Sequence, residues 1–246
     1  MKKLCILFLV IVLPCLMLAQ TKTDPGKEKK FKGFYLSASS GISFPVGSSY
    51  TSVDGKDAKS GYAGTGYLVQ VNGDWPGSNV IGLGLQYTYQ HNPILASARD
   101  IIRDGNDTTP IGSGAWANHY LMIGPVFLKQ VHKLLISARM AIGFIVSFSP
   151  VFRYIDPVTQ RRTNNMAYGL GYGLSAGVGY SVSERVSLQM NVSYYGGAPK
   201  LSKEYKPQVT GWDSITKTNI YSPLTEISIK KLVSTINLSA GAVFKF

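Results

Sequence analysis

The sequence predicts an all-β fold: an eight-stranded antiparallel up-and-down β-barrel that crosses a membrane. Three observations carry this expectation. Apolar and polar residues alternate at period two over segments long enough to cross a bilayer as tilted strands. The polar rows of these segments are built from Gly, Ser, Asn, Gln and Thr rather than from charged residues. The connections between segments alternate between short and long.

Composition agrees with this reading. Charged residues are 15% of the chain and hydrophobic residues 45%, a low charge density for a soluble domain. Beyond the N-terminus no run reaches the ~18 consecutive apolar residues of a spanning helix. Fifteen Tyr and 26 Gly suit strands joined by tight turns, with aromatic rings at an interface.

The N-terminus reads as a secretory signal over residues 1–19. Lys2 and Lys3 form its basic start, Leu4 to Leu18 its apolar run, and Ala19-Gln20 a small-residue cut site. Residues 20–31 are polar and Lys-rich, a flexible lead-in, and residues 32–246 form the barrel. Both cysteines, Cys5 and Cys15, lie in the signal, so export leaves no disulfide, thiolate metal site or Cys nucleophile. Removing two Lys and no acid changes the net charge from +12 to 12 − 2 = +10. Such a charge suits nucleic acid or anionic lipid, and an exported chain favours the lipid.

The clearest strand is Tyr168 to Val182. Tyr168, Leu170, Tyr172, Leu174, Ala176, Val178, Tyr180 and Val182 share one face, with Gly169, Gly171, Gly173, Ser175, Gly177, Gly179 and Ser181 on the other. After Ser183-Glu184-Arg185 the pattern resumes, Val186, Leu188, Met190, Val192 and Tyr194 alternating with Ser187, Gln189, Asn191, Ser193 and Tyr195. Five further segments alternate in the same way: Phe34 to Phe44, Gly64 to Trp75, Val80 to Gln90, Leu134 to Phe148 and Leu232 to Phe246. An eighth, Trp116 to Leu128, is apolar on both faces, which leaves its register open.

Trp75 to Asn79, Lys129 to Lys133 and Ser183 to Arg185 are short turns. Pro45 to Ala63, His91 to Ala115, Pro150 to Ala167 and Gly196 to Lys231 are long and polar. Short periplasmic turns against long external loops is the outer-membrane pattern, and the loops of a soluble sandwich have no reason to alternate so regularly.

On these segments, from Lys32 to Phe246, the chain resembles the small eight-stranded bacterial outer-membrane barrels of the OmpA and OmpX type. The resemblance extends to the last strand, Ile236 to Phe246, which alternates and ends on an aromatic residue. It implies that Phe244 and Phe246 are read by the barrel-assembly machinery and that the protein resides in the outer membrane, among its lipids and lipopolysaccharide.

Candidate chemistry is sparse. Gly173-Leu174-Ser175-Ala176-Gly177 matches a nucleophile-elbow string, but it sits inside a strand and no His follows His132. His91, His119 and His132 are far apart, in a loop, a strand and a turn, and no cluster has metal-ligand spacing. Some eight-stranded outer-membrane barrels modify lipid A, which makes His119 the residue to inspect. No catalytic residue, metal or cofactor is expected. Asp74, Arg139 and Lys245 fall on polar faces near the periplasmic strand ends, where lumen charges pair and plug a narrow barrel. Arg153, Arg161, Arg162, Lys200, Lys203, Lys206 and Lys217 fall in the external loops, placed to offset lipopolysaccharide phosphate. The expected function is therefore a non-catalytic barrel acting through its long loops, in surface binding, adhesion or envelope stability. A narrow pore or hydrophobic-solute channel is the alternative.

Overall fold

The computed structural model describes residues 33–47, 63–77, 80–95, 115–150, 154–156, 159–161, 166–206, 209–213, 218–221, 225–230 and 232–246, with backbone alone for 154–161 and 201–230. The expected signal and lead-in lie outside the described residues.

Eight long strands make the barrel: β1 (Tyr35–Pro45), β2 (Gly66–Pro76), β3 (Ile81–Pro93), β4 (Ala115–Val131), β5 (Leu134–Phe148), β8 (Met166–Ser181), β9 (Val186–Gly197) and β14 (Val233–Lys245). Between β5 and β8 lie β6 (Tyr154–Asp156) and β7 (Thr159–Arg161). Between β9 and β14 lie β10 (Lys200–Lys206), β11 (Val209–Asp213), β12 (Thr218–Tyr221) and β13 (Thr225–Lys230). Each barrel strand pairs antiparallel with its neighbours in the chain, and β14 returns to pair with β1, so the sheet closes on itself. Closure satisfies the strand backbones within the sheet and leaves no edge, which a lipid-exposed sheet requires. Prolines stand at the ends of β1, β2 and β3 (Pro45, Pro76, Pro93), where a missing N–H costs the ladder little.

The alternation fixes which side chains face out. Among the eight strands the charged residues are Asp74, Lys129, Arg139 and Lys245, and only Lys129 stands in an outward row, close to the short turn between β4 and β5. The outward rows otherwise expose Leu, Ile, Val, Met and aromatic side chains; Leu170 is 74% exposed and Ile142 71%. Water would not stabilise such a surface, but hydrocarbon does. Aromatic groups border the belt. At the end that bears the short turns Phe34 lies 4.9 Å from Trp75 and 6.1 Å from Phe246, ring centre to ring centre. At the other end Tyr67 stacks on His91 at 5.0 Å, and Tyr89 and Phe148 flank His119 at 5.0 and 5.7 Å. Trp75 and Tyr67 share β2 eight residues apart, about 26 Å along a strand and about 20 Å along a barrel axis at the usual tilt. The molecule is a transmembrane β-barrel.

Several details differ from the sequence reading. Pairing of β4 with β5 runs to Val131↔Leu134, so the expected turn from Lys129 to Lys133 shrinks to His132 and Lys133. His132 adopts a left-handed φ of 56°, as two-residue hairpin turns require. His91 belongs to β3 rather than to a loop. The register of β4, open in the sequence, sends Trp116, Asn118, Tyr120, Met122, Val126 and Leu128 into the lumen and Leu121 and Ile123 outward.

The expected loop from Gly196 to Lys231 contains four strands. β9 pairs with β14 at Gly197↔Val233, and Lys200↔Lys230 continues the same register. Register shifts fall between Leu201 and Glu204 and again between Val209 and Gly211, and β11 pairs with β12 as a separate two-stranded sheet. The ladder of the last barrel hairpin thus continues past the barrel rim into β10 and β13. Alternation did not reveal it, because strands outside the bilayer need no apolar face.

Candidate functional site

The interior is the candidate site, since it decides whether anything passes. Asp74, on β2, and Arg139, on β5, stand three strands apart and meet across the lumen as an ion pair, both buried. Arg139 also donates from Nη1 to Gln86 Oε1 at 3.3 Å. Gln86 Nε2 donates to the Tyr195 hydroxyl at 2.7 Å and to Thr88 Oγ1 at 3.0 Å. The Tyr195 hydroxyl donates to Gln70 Oε1 at 2.8 Å, Gln70 Nε2 to Asn72 Oδ1 at 2.9 Å, and Asn72 Nδ2 to Ser37 Oγ at 2.9 Å. A single hydrogen-bonded chain therefore runs from β5 through β3, β9 and β2 to β1. In a low-dielectric interior such a chain is stable only when its polar groups find partners.

Glycine makes room for these groups at two places. A Cβ on Gly84 would come within 2.7 Å of Asp74 Oδ1 and 3.1 Å of Arg139 Nε. A Cβ on Gly173 would meet the Tyr195 ring at 2.6 Å.

Above this layer an apolar and aromatic cluster of Trp116, Tyr120, Met122, Ala141, Ile145, Tyr195, Val233 and Ala63 fills the lumen toward the long-loop end. Around it Gln90 Nε2 donates to Thr235 Oγ1 and Asn237 Oδ1, and Asn92 Nδ2 donates to the carbonyl of Gly64. Below the ion pair, Tyr35, Val126, Leu128, Leu135 and Val243 form a second cluster. At the mouth on the short-turn side Lys245 Nζ donates to Gln130 Oε1 and Ser181 Oγ, both at 3.0 Å, which ties β14 to β4 and β8. Between ion pair and lower cluster remains a cavity of about 20 Å³, lined by Asp74, Arg139, Gln189 and Asn191 among others, enough for a water molecule.

The structure brings Asp74 and Arg139 together and sets Lys245 apart, at the mouth. Sequence reasoning identified the charged members of the interior and missed the uncharged ones that carry the cross-links: Gln70, Gln86 and Tyr195. Their signal was their place in the polar rows, although side-chain type gives no pairing across a closed barrel. Ser175 lies within β8 with no strand-to-helix turn. His119 faces outward among Tyr87, Tyr89 and Phe148, with the Tyr87 hydroxyl 2.9 Å from its Nδ1. No carboxylate stands in the outward rows of the eight barrel strands beside it. Among the described residues no group of three His, Cys, Asp or Glu comes together. Of the basic loop residues, Lys200 is exposed at the start of β10. Arg161, Lys203 and Lys206 have backbone positions in β7 and β10, while Arg153, Arg162 and Lys217 lie outside the described residues. Phe244 and Phe246 face outward at the closing seam, where the Phe246 amide donates to the Phe34 carbonyl at 2.9 Å.

These features define a class, a small closed transmembrane barrel with a filled interior. No family model matches the chain, and no curated protein matches it. Among solved structures the chain is similar to Neisserial surface protein A, at 12% identity and a TM-score of 0.47, over 87% of this chain and 97% of that one. It is similar to a major outer membrane protein from Thermus thermophilus at 13% identity and a TM-score of 0.47, over 89% and 100%. It is also similar to the attachment invasion locus protein Ail of Yersinia pestis in complex with the heparin analogue sucrose octasulfate, at 14% identity and a TM-score of 0.44, over 87% and 99%.

Proposed function

We propose that the protein is a non-conducting, non-catalytic barrel of the bacterial outer membrane, inserted by the barrel-assembly machinery. Its work is done by the long segments at the outer rim, in surface binding, adhesion or envelope stability. The observation that carries this reading is the interior. An aromatic cluster, a hydrogen-bonded chain with its ion pair, and an apolar layer follow one another along the lumen. An eight-stranded barrel is narrow enough for side chains to fill it, and here they come from opposite walls. The belt of outward apolar residues supports the membrane placement, and the outward Phe244 and Phe246 at the closing seam support recognition by the assembly machinery.

The experiment has two parts. The protein fractionates with outer membranes and changes mobility on SDS gels only after boiling; recovery as a soluble periplasmic protein would sink the placement. In planar bilayers the wild type conducts little and Arg139→Ala conducts more. Steady wild-type channels whose selectivity alone changes in Arg139→Ala would replace this reading with the pore. The receding Gly and Ser wall of β8 is the observation that favours that alternative.

A further inference from the structure

We propose that the lumen binds an ordered water molecule, held between the side-chain amide of Asn191 on β9 and the ion pair of Arg139 and Asp74 on β5 and β2. The inference rests on the closed interior proposed above and names the ligand that links the ion pair to β9 below Tyr195.

The argument begins with two donors. Arg139 Nε and Asn191 Nδ2 are buried and have no hydrogen-bond partner among the described residues. A buried N–H without a partner is costly, most of all on a charged group, and native interiors satisfy nearly all of them. Both residues line the same cavity of about 20 Å³. Arg139 commits Nη2 to Asp74 and Nη1 to Gln86 Oε1. On a guanidinium the Nε hydrogen leaves along the same edge as one Nη2 hydrogen. The unpaired donor therefore runs alongside the bond to Asp74, whose carboxylate also lines the cavity. Asn191 is set by the receding wall of β8. A Cβ on Gly177 would come within 2.1 Å of Asn191 Oδ1 and 2.8 Å of Ser137 Oγ, so glycine lets the amide lie there. With its oxygen end against β8, the amide turns its nitrogen end away from that wall.

Size and charge say which ligand fits. A cavity of this volume holds a water molecule, and a buried water makes about three hydrogen bonds. Its oxygen accepts from Arg139 Nε and Asn191 Nδ2, and one of its hydrogens goes to the Asp74 carboxylate. A halide would accept from the same two N–H groups but would stand against that carboxylate, which already matches the guanidinium charge. A metal cation would face two N–H donors, and an apolar solute would leave both unpaired. Toward the short-turn mouth the apolar side chains of Val126, Leu128, Leu135 and Val243 close the cavity off from Lys245. On the other side stands the hydrogen-bonded layer of Gln86, Tyr195 and Gln70. A water so enclosed exchanges slowly with bulk solvent.

The test uses the full exported protein refolded into lipid nanodiscs, isotope-labelled at Asn and Arg side-chain nitrogens, with water-to-protein cross-relaxation read by nuclear magnetic resonance. Wild type shows the signal of a long-lived water at both Asn191 Nδ2–H and Arg139 Nε–H. Asn191→Leu keeps the side-chain shape, removes the donor and abolishes the water signal at Arg139 Nε–H. Ser175→Val puts carbon into the cavity and abolishes the signal at both groups. Gln130→Ala, at the short-turn mouth, leaves both unchanged. Boiling-dependent gel mobility reports that each variant is folded, and where Ser175→Val does not fold, Asn191→Leu decides alone. An undiminished signal at Arg139 in folded Asn191→Leu would overturn the site as placed. A folded, non-conducting wild type without a long-lived water at either group would overturn the water and leave the closed interior standing. Shifts of both N–H groups that follow chloride concentration would replace water by an anion. Rapidly exchanging water at both groups, together with steady channels in planar bilayers, would overturn the closed interior itself.

Discussion

The wall of the lumen made by β8 and the wall made by β2, β3 and β4 contribute to the same interior in opposite ways. Along β8 the inward row is Gly169, Gly171, Gly173, Ser175, Gly177 and Gly179, with almost no side-chain volume. Along the other wall the inward rows are Gln70, Asn72 and Asp74, then Gln86, Thr88 and Gln90, then Trp116, Asn118, Tyr120 and Met122. Large groups from one wall reach toward a wall that recedes. The Tyr120 ring comes within 3.1 Å, and Met122 Cε within 3.2 Å, of where a Cβ would stand on Gly171 and Gly173 respectively. A narrow barrel has a fixed interior volume, and an interior packed to native density can be filled from one side only if the other gives way. Stability is therefore sensitive to loss of groups on one wall and to gain of atoms on the other.

The largest effect is expected from breaking the polar wall at its charge. Asp74→Ala leaves the Arg139 guanidinium buried without its partner, and the folded barrel should lose about 3–5 kcal/mol in urea unfolding from lipid vesicles. Replacing both charges, Asp74→Leu with Arg139→Met, should recover most of that loss, because two apolar groups leave no uncompensated charge. A single mutant within ~1 kcal/mol of wild type would mean that the pair is solvated and the lumen open.

A smaller loss is expected from filling the receding wall. Gly173→Ala drives a methyl group into the Tyr195 ring and should cost about 1–3 kcal/mol by the same measurement. Ser175→Ala, next in the same inward row and lining the small cavity, should change stability by less than ~0.5 kcal/mol. Equal effects at the two positions would show that β8 has no special role in accommodating the opposite wall.

The smallest effect is expected on the outer surface. Met140 is 62% exposed on the lipid-facing row of β5. Lipid fills the space that Met140→Ala vacates, so the cost should stay below about 1 kcal/mol, whereas Ile145→Ala inside the same strand should cost about 2–5 kcal/mol. A reversed order would mean that β5 is turned with its apolar row inward, which would contradict the barrel register.

The sequence made the outward rows and the strand count legible because the bilayer imposes a rule on each strand separately. Every second residue from Tyr168 to Val182 must suit hydrocarbon, and that rule needs no knowledge of neighbours. It gave Asp74, Arg139 and Lys245 as inward charges for the same reason. It left the facing of β4 open, since Trp116, Tyr120 and Met122 are as apolar as Leu121 and Ile123. There only the pairing of Tyr89 with His119 and of Leu121 with Phe144 decides which row looks inward.

By itself, then, the sequence determined an all-β membrane-crossing chain, its eight barrel segments and the sides on which its few charges stand. All of these follow from local alternation and from the length of a bilayer-crossing strand. Only the tertiary structure decided that Arg139 meets Asp74, that Tyr195 joins Gln86 to Gln70, and that the ladder of β9 and β14 continues through β10 and β13 to set Lys200 opposite Lys230. The physical reason is closure. Partners across a lumen, or across a hairpin that leaves the membrane, are fixed by register around the whole ring, and no single strand contains that information.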